Sequence, residues 1–192
     1  MTYCPNCSSE IKSNLLTTNK LLDETSCNLL NYYLGKDVMH YCQSCGDSRT
    51  LKAAKEKAKD ERDTLFVEYE DRLQSVPVLT ISNPPHWDFE VLEIVTAYID
   101  AERKAADDRC FNALRIATVI RGGNAIIDIT MNIHQTLFGG QMNEVSKPYL
   151  HAYGTAVLLK NIDILGEKKQ DIEQLQVIQE RLYYFKNYLG II

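Results

Sequence analysis

The sequence predicts an α+β protein that is built from consecutive parts. Two closely spaced cysteine pairs, Cys4/Cys7 and Cys42/Cys45, lie within the first 50 residues. A charged stretch of helix-forming residues follows, and beyond it short β-branched runs flank a segment of helical period. We therefore expect a small module over residues 1–49, a helical linker over 50–75, a β-β-α-β-β domain over 76–165 and a carboxy-terminal helix over 166–192.

Length and composition indicate a globular protein with an ordinary core. The chain has 192 residues, of which 45% are apolar and 24% are charged. No apolar run reaches the roughly 20 residues that a helix needs to cross a bilayer, and the amino terminus lacks the apolar segment of a secretory signal. We expect a cytoplasmic protein without a membrane span. In that compartment disulfides are disfavoured, so paired cysteines favour metal or redox chemistry.

The four paired cysteines form a CxxC…CxxC set with 34 residues between the pairs. Two cysteines three positions apart in a tight turn can direct both sulfur atoms at one cation, and two such turns complete a tetrahedron of thiolates. Pro5 and Gly46 suit these turns. The pattern predicts a zinc-ribbon-like module with one structural zinc ion per chain, held by Cys4, Cys7, Cys42 and Cys45. The alternatives are a thioredoxin-like redox pair, which needs only one CxxC, and two unrelated reduced pairs.

The segment between the two cysteine pairs has a helical pattern. Leu15, Leu22, Leu29, Leu30 and Tyr33 lie near helical spacing, and Gly35 suits a helix end. Cys27 lies inside this pattern, so we expect it to be a small buried residue and not a metal ligand. His40 precedes the second pair and is not needed as a ligand when four cysteines are present.

The charged stretch predicts a helix with a narrow apolar stripe. The stripe consists of Leu51, Ala54, Ala58, Leu65, Tyr69 and Leu73. Residues 51–73 contain six basic and seven acidic side chains, and residues 1–50 contain four and five, so each segment has a net charge of about −1. A module that binds phosphate should be basic. We therefore expect a solvated spacer helix and no nucleic-acid partner.

In the second half, "VPVLTIS" and "LEIVTAYI" are β-branched runs that predict two strands. A helix is expected next, with Asp100 as its N-cap and Gly122-Gly123 at its end; its predicted buried face consists of Ala106, Cys110, Ala113, Leu114, Ala117 and Ile120. Two longer strands, "NAIIDITMNIHQTL" and "YLHAYGTAVLLK", follow around the loop that contains Gly139-Gly140. The final helix has an apolar seam suited to packing against another element or another chain. The seam consists of Ile172, Leu175, Ile178, Leu182, Phe185 and Leu189.

Residues 76–160 resemble the YbjQ-type family, whose name refers to heavy-metal binding. The resemblance depends on "VLTISN" as the opening strand, on a helix leading into "GGNAIIDI", and on a closing strand with "GTAVLLK". The matching positions are Gly122, Gly123, Asn124, Ala125, Ile126, Gly154, Thr155, Ala156 and Val157. Members of the family form ring-shaped homo-oligomers, typically pentamers, so the resemblance implies a YbjQ-like ring oligomer, with a pentamer as the expected form.

The sheet of this domain contains candidate residues for a second ligand site. Strand alternation places Asp128 and His134 on one face of their strand and His151 on the same side of the next. A turn centred near residues 142–143 would place His134 opposite His151. Two imidazoles and a carboxylate could then hold a borderline metal ion. The same alternation fits a polar outer or lumen-facing sheet surface without any ligand, and the sequence favours that interpretation over a metal site.

The motifs of common enzymes are absent from the sequence. It contains no phosphate-binding loop, no nucleophile elbow and no HExxH pair. The sequence therefore favours a non-enzymatic oligomeric protein that displays structural zinc modules, with a possible protein partner for those modules. The alternatives are a small-molecule or heavy-metal binding protein that uses the polar sheet face or subunit crevices, a zinc-ribbon interaction module for nucleic acid or protein, and an enzyme with an interfacial site.

Overall fold

A computed structural model describes residues 2–11, 20–138 and 145–191 of the chain. The fold is α+β, with four helices and a three-stranded antiparallel sheet among these residues. The chain forms two compact units, one of Met1–Glu68 with Glu180–Ile192 and the other of Tyr69–Gln179. In the part of the chain that the structure describes, no helix is both long and apolar enough to cross a membrane.

The first unit begins with a two-stranded antiparallel sheet of β1 (Thr2–Tyr3) and β2 (Glu10–Ile11). Helix α1 (Glu24–Leu34) follows, with Asp23 as its N-cap and Gly35 in the left-handed conformation at its end, which confirms the predicted helix stop. Cys27 is buried as expected and packs with Leu30 and Tyr41. Leu15, part of the predicted helical pattern, lies outside the described residues.

Helix α2 spans Ser48–Leu73, and Asp47 accepts a 2.7 Å hydrogen bond from the backbone of Thr50 at its start. Its predicted apolar stripe is buried from Ala54 to Leu73, and Leu51 is half-buried. The helix is therefore more than a solvated spacer, because one side of it contributes to the core. Buried alanines at this spacing allow another segment to approach the helix closely.

Helix α4 spans Lys168–Asn187, and its predicted seam is buried except for the half-buried Leu182. The end of this helix belongs to the first unit. There the ring of Phe185 meets the ring of Tyr32 edge-on at 5.5 Å, and Arg181 pairs with Glu61. Glu61 also accepts a hydrogen bond from the Tyr32 hydroxyl. The carboxy-terminal seam is thus buried within the chain, and Glu180–Ile192 belong to the same compact unit as Met1–Glu68.

The second unit contains β3 (Phe89–Asp100), α3 (Ala106–Ile120), β4 (Ala125–Phe138) and β5 (Val145–Leu159). The sheet order is β3-β5-β4, and both pairings are antiparallel. Helix α3 covers one face, where Val95, Ala97 and Ala152 are buried. Gly139-Gly140 and the centre of the predicted turn lie outside the described residues.

The expected first strand differs from the observed structure. Val78 makes an isolated parallel bridge to Ile126 of β4, and Leu79 donates to the Ile126 carbonyl at 2.9 Å. Two features interrupt a continuous ladder there: Pro77 has no N–H to donate, and Asp128 of β4 has a φ of 55° within a bulge. The described domain therefore has three strands and a bridged segment in place of four strands.

Helix α3 also begins later than its sequence signals indicate. Asp100 is the last residue of β3, and its carboxylate accepts a 3.0 Å hydrogen bond from the backbone of Glu102 in the following turn. The helix begins at Ala106 after a left-handed Ala105. Its buried face includes Cys110, Leu114, Thr118 and Val119, whereas Ile120 is exposed. The predicted end is confirmed, since Gly122 has a φ of 78°.

Candidate metal centre

The first cysteine turn is formed by the chain between β1 and β2. The backbone of Ser8 donates a 2.8 Å hydrogen bond to the Cys4 carbonyl, and the backbone of Cys4 donates to the Ser9 carbonyl at 2.9 Å. Ser8 has a φ of 58°, which lets the chain reverse immediately after Cys7. The short strands on both sides fix this reversal, so Cys4 and Cys7 point the same way.

The second cysteine turn follows a bridge between Leu21 and Cys42. The backbone N–H groups of Cys45 and Gly46 both donate to the Cys42 carbonyl, at 3.0 and 3.2 Å. Gly46 is buried, and a Cβ atom there would lie 2.2 Å from Cδ1 of Leu22. The turn therefore needs glycine, or a shifted Leu22, at the position where it packs against the segment before α1.

The two turns bring all four predicted sulfur atoms together. The Sγ atoms of Cys4 and Cys45 are 3.7 Å apart, those of Cys7 and Cys42 are 3.6 Å apart, and all four lie within 4.8 Å of one another. For zinc–sulfur bonds of about 2.3 Å, the edge of a regular tetrahedron is about 3.8 Å. The four cysteines therefore form a group that could hold one metal ion with little rearrangement. We name this group the four-cysteine cluster.

The thiols of the cluster differ in their electrostatic surroundings. Hydrogen bonds from the side chain and backbone of Ser9 lower the pKa of Cys7 to about 6. Burial raises the pKa of Cys45 to about 12. Burial also acts to raise the pKa of Cys4, but backbone hydrogen bonds outweigh it and the net shift is downward. A bound divalent cation would deprotonate all four thiols despite these differences in pKa, because metal binding displaces the thiol protons.

Asn6 contributes to the cluster and was not among the predicted site residues. Its side-chain amide donates a 3.2 Å hydrogen bond to Sγ of Cys45, which connects the first turn to a sulfur of the second. Lys36 in turn donates to Oδ1 of Asn6. Polar partners of this kind orient metal ligands and stabilise their charged form. In the sequence, the only signal was an amide inside CPNC, which is common in turns for other reasons.

The remaining cysteines and His40 stay outside the cluster. Cys27 and Cys110 are buried thiols whose pKa values are raised by burial. The Nε2 atom of His40 lies 3.4 Å from the Tyr3 carbonyl oxygen. The candidate metal ligands are therefore the four cysteines of the cluster, without Cys27 or His40.

The residues of the second candidate site do not have the register in which the two histidines would face each other. His134 lies opposite Tyr149 and His151 lies opposite Asn132, so the register differs by two residues from the one in which the two histidines face each other. The histidine rings are diagonal neighbours with centroids 5.7 Å apart. Asp128 lies at the bulge, where its carboxylate accepts a 3.0 Å hydrogen bond from Ser82. Among the described residues, Asp128, His134 and His151 do not come together as a metal-binding group.

The histidines instead belong to an aromatic cluster on the sheet face opposite α3. The rings of Tyr98 and His151 are stacked at 4.3 Å with an interplanar angle of 6°. Tyr149 stacks on His134, and Tyr153 lies 5.6 Å from His151. The Nε2 atom of His151 is buried without a hydrogen-bond partner among the described residues. The aromatic sheet face, which we define by Tyr98, His134, Tyr149, His151 and Tyr153, thus contains a buried ring nitrogen without a hydrogen-bond partner among the described residues.

The fold and the cluster define an α+β protein with a group of four cysteines that could hold a metal ion. No family model matches the chain, and no curated protein does. One solved structure that is similar to it is a protein of unknown function from Pediococcus pentosaceus, which belongs to the DUF74, YbjQ-like family. The two chains are 17% identical, the match covers 45% of this chain and all of the other, and the TM-score is 0.34.

Proposed function

We propose that this protein is a non-enzymatic, homo-oligomeric scaffold that displays one structural zinc module per chain. The observation that carries the proposal is the convergence of four sulfur atoms, contributed by two separate turns, within 4.8 Å of one another. Four thiolates satisfy the tetrahedral preference of zinc and leave no open coordination position for a substrate or water. The metal therefore has a structural role: it joins the two cysteine turns at the two ends of this segment.

The zinc module needs a compartment in which its thiols remain reduced. We place the protein in the cytoplasm, where glutathione and thioredoxin systems keep cysteines available for metal. The surface around the cluster favours a protein partner over nucleic acid, because residues 1–50 have a net charge of about −1. Two exposed apolar side chains are suitable for such a contact: Tyr3, which directly precedes Cys4, and Met39, which lies three positions before Cys42.

The second unit has features that support self-assembly. Strand β3 is at the edge of the sheet, and Ile94 and Tyr98 on it are 68% and 62% exposed. A long apolar edge strand is a common site of pairing with another chain. The resemblance of residues 76–160 to the YbjQ-type family implies a ring, with a pentamer as the expected form. A ring would display several zinc modules, so that a weak contact of each module becomes strong through multivalency.

Native mass spectrometry of the purified protein tests both parts of the proposal. The expected result is a homo-oligomer, a pentamer if the resemblance extends to subunit number, with one zinc ion per chain. The Cys42→Ser variant should lose the zinc and keep the oligomer, because Cys42 lies in the first unit and the three-stranded sheet lies in the second. The Cys27→Ala variant is the matched control and should keep both. A monomer would contradict the scaffold, and zinc-free wild-type protein would contradict the metal site.

A small ligand or metal bound at the aromatic sheet face is a second candidate function. It is favoured by the buried, unpartnered Nε2 of His151 and by the proximity of His134. We expect the wild-type protein to retain a second equivalent of copper(II) or zinc(II) after dialysis, and the double variant His134→Ala/His151→Ala to retain only one. Equal metal content in the two proteins would exclude this candidate without affecting the four-cysteine cluster.

A further inference from the structure

The four sulfur atoms are paired across the two turns. Cys7 lies 3.6 Å from Cys42 and Cys4 lies 3.7 Å from Cys45, measured between Sγ atoms. Each contact joins a cysteine of the first turn to a cysteine of the second, over 35 and 41 positions of sequence. Formation of a disulfide requires a further approach to about 2.05 Å. Side-chain rotation and a movement of either turn would supply this approach.

The cluster can be reached from solvent at one cysteine in particular. Cys7 is exposed, Cys45 is half-buried, and Cys4 and Cys42 have no exposed surface. An oxidant in solution therefore meets the sulfur of Cys7 first. The sulfur of Cys42 is next to it and is protected from direct attack by its burial. This arrangement places an accessible sulfur beside a second sulfur, which can attack the sulfenic acid formed on the first and displace hydroxide.

We infer that a peroxide converts the zinc-bound cluster into two disulfides that link the turns, Cys7–Cys42 and Cys4–Cys45, with release of the metal. This inference rests on the zinc site proposed above. It assigns to that site a second, oxidised state, in which covalent bonds replace the metal as the connection between the two turns.

The reaction is balanced with two equivalents of hydrogen peroxide. The Cys7 thiolate attacks one peroxide oxygen, which breaks the O–O bond and gives a sulfenic acid and hydroxide. The Cys42 thiolate then attacks the sulfenic sulfur and displaces a second hydroxide, so the disulfide forms with the loss of two electrons from sulfur to the peroxide. A second peroxide oxidises Cys4 and Cys45 in the same way. In total, four zinc-bound thiolates, two hydrogen peroxide molecules and four protons give two disulfides, four water molecules and free Zn²⁺.

The oxidised module should remain folded. Both disulfides close the same long loop that the metal closes, and cross-links over loops of this length restrict the unfolded chain strongly. Helix α1 keeps contacts that do not depend on the metal, including those of Tyr32 with Glu61 and Phe185. The expected change is therefore confined to the two turns and to the surface that they present.

The test uses the full-length Cys27→Ala/Cys110→Ala variant, in which only the four cluster cysteines remain. Zinc per chain is measured first in the reduced protein. Hydrogen peroxide is then titrated while a chromogenic chelator reports released zinc, and peptide mass spectrometry maps the disulfides. We expect complete zinc release near two equivalents of peroxide, more than about tenfold enrichment of the cross-turn links over links within a turn, and recovery of bound zinc after dithiothreitol and zinc are added. In a separate measurement on the zinc-loaded protein, N-ethylmaleimide should label Cys7 first.

Predominant links within the turns, Cys4–Cys7 or Cys42–Cys45, would overturn the inference. So would sulfinic acid at Cys7 without a disulfide, or zinc release with all thiols still reduced. Protein that contains no zinc in the reduced state would instead contradict the proposed structural zinc site and the metal-release part of the inference. The disulfide map of that same protein would still decide whether the cysteines pair across the turns.

Discussion

The hydroxyl of Tyr41 donates a 2.9 Å hydrogen bond to Oδ1 of Asn31. The same oxygen accepts a 3.1 Å hydrogen bond from the backbone of Val38, and Nδ2 of Asn31 donates to the Val38 carbonyl at 3.0 Å. Tyr41 is fully buried and directly precedes Cys42. One side chain on helix α1 therefore holds the segment that leads into the second cysteine turn, and the position of that turn depends on Asn31.

Replacing Asn31 with alanine should destabilise the first unit and loosen the cluster. The substitution leaves the buried Tyr41 hydroxyl without its partner, which costs about 1–3 kcal/mol. We expect a lower urea midpoint and faster zinc transfer to a chelator. Asn28→Ala, on the same helix, is the matched control, because Asn28 makes one exposed contact of 3.4 Å to the Tyr188 carbonyl. Equal behaviour of the two variants would contradict the role given to Asn31.

Asn6→Ala should weaken zinc binding without unfolding the module. The amide of Asn6 donates to Sγ of Cys45, and loss of a hydrogen bond to a metal ligand typically costs 10–100-fold in affinity. Competition with a chelator of known affinity measures the effect. Gln43→Ala is the control, because Gln43 has an exposed side chain in the second turn at the position that corresponds to Pro5, and it should have wild-type affinity. An unchanged affinity in Asn6→Ala would show that this hydrogen bond does not support the metal.

The sequence is informative about the cluster because metal binding constrains residue type and spacing directly. Two CxxC pairs are enough to name all four cysteines, and the helix end at Gly35 follows from the special conformation that glycine tolerates there. The partners of the sulfurs are harder to predict. Asn6 and Ser9 act through individual hydrogen bonds, and neither residue type is specific to such a role.

The register between β4 and β5 shows why alternation alone did not place the histidines. A shift by two residues leaves every side chain on the same face of the sheet, so the pattern predicts the face and not the partner. His134 and His151 do share a face, but His134 faces Tyr149. The bulge at Asp128 is likewise invisible in a pattern of alternating residues. Its left-handed backbone moves the carboxylate towards Ser82 instead of towards the histidines.

Gly154→Ala should destabilise the second unit by overpacking. A Cβ atom at Gly154 would lie 2.7 Å from Cγ1 of Ile129 and 2.9 Å from Cγ2 of Ile126, both in the core of the sheet. Extra atoms in a filled core typically cost about 1–3 kcal/mol. Thermal unfolding measures the loss. Thr155→Ala, at the next position on the opposite face, should shift the transition much less, and a larger shift for Thr155→Ala would contradict the described packing.

Tyr32→Phe should change how stability depends on alkaline pH. Burial, followed by the hydrogen bond to Glu61, raises the pKa of Tyr32 above its usual value of 10. A raised pKa means that the folded state holds the proton more tightly than the unfolded state does, so this contribution is complete below about pH 10 and decreases above it. The stability difference between wild type and Tyr32→Phe should therefore narrow as the pH rises above about 10.

Urea unfolding at pH 8 and at pH 10.5 measures this difference. Tyr183→Phe is the control, because Tyr183 is 62% exposed on the last helix of the chain. Its effect on stability at pH 8 should be smaller than that of Tyr32→Phe, because an exposed hydroxyl makes little contribution to the folded state. If the difference in stability between wild type and Tyr32→Phe stays constant or widens from pH 8 to pH 10.5, the buried, hydrogen-bonded position of the Tyr32 hydroxyl would be contradicted.

X-ray absorption at the zinc edge of the reduced protein tests the metal centre most directly. Four sulfur neighbours at about 2.3 Å, with no nitrogen or oxygen in the first coordination shell, is the predicted result. A shell that contains nitrogen or oxygen, or a protein that binds no zinc when zinc is supplied, would contradict the assignment of Cys4, Cys7, Cys42 and Cys45 as one closed site.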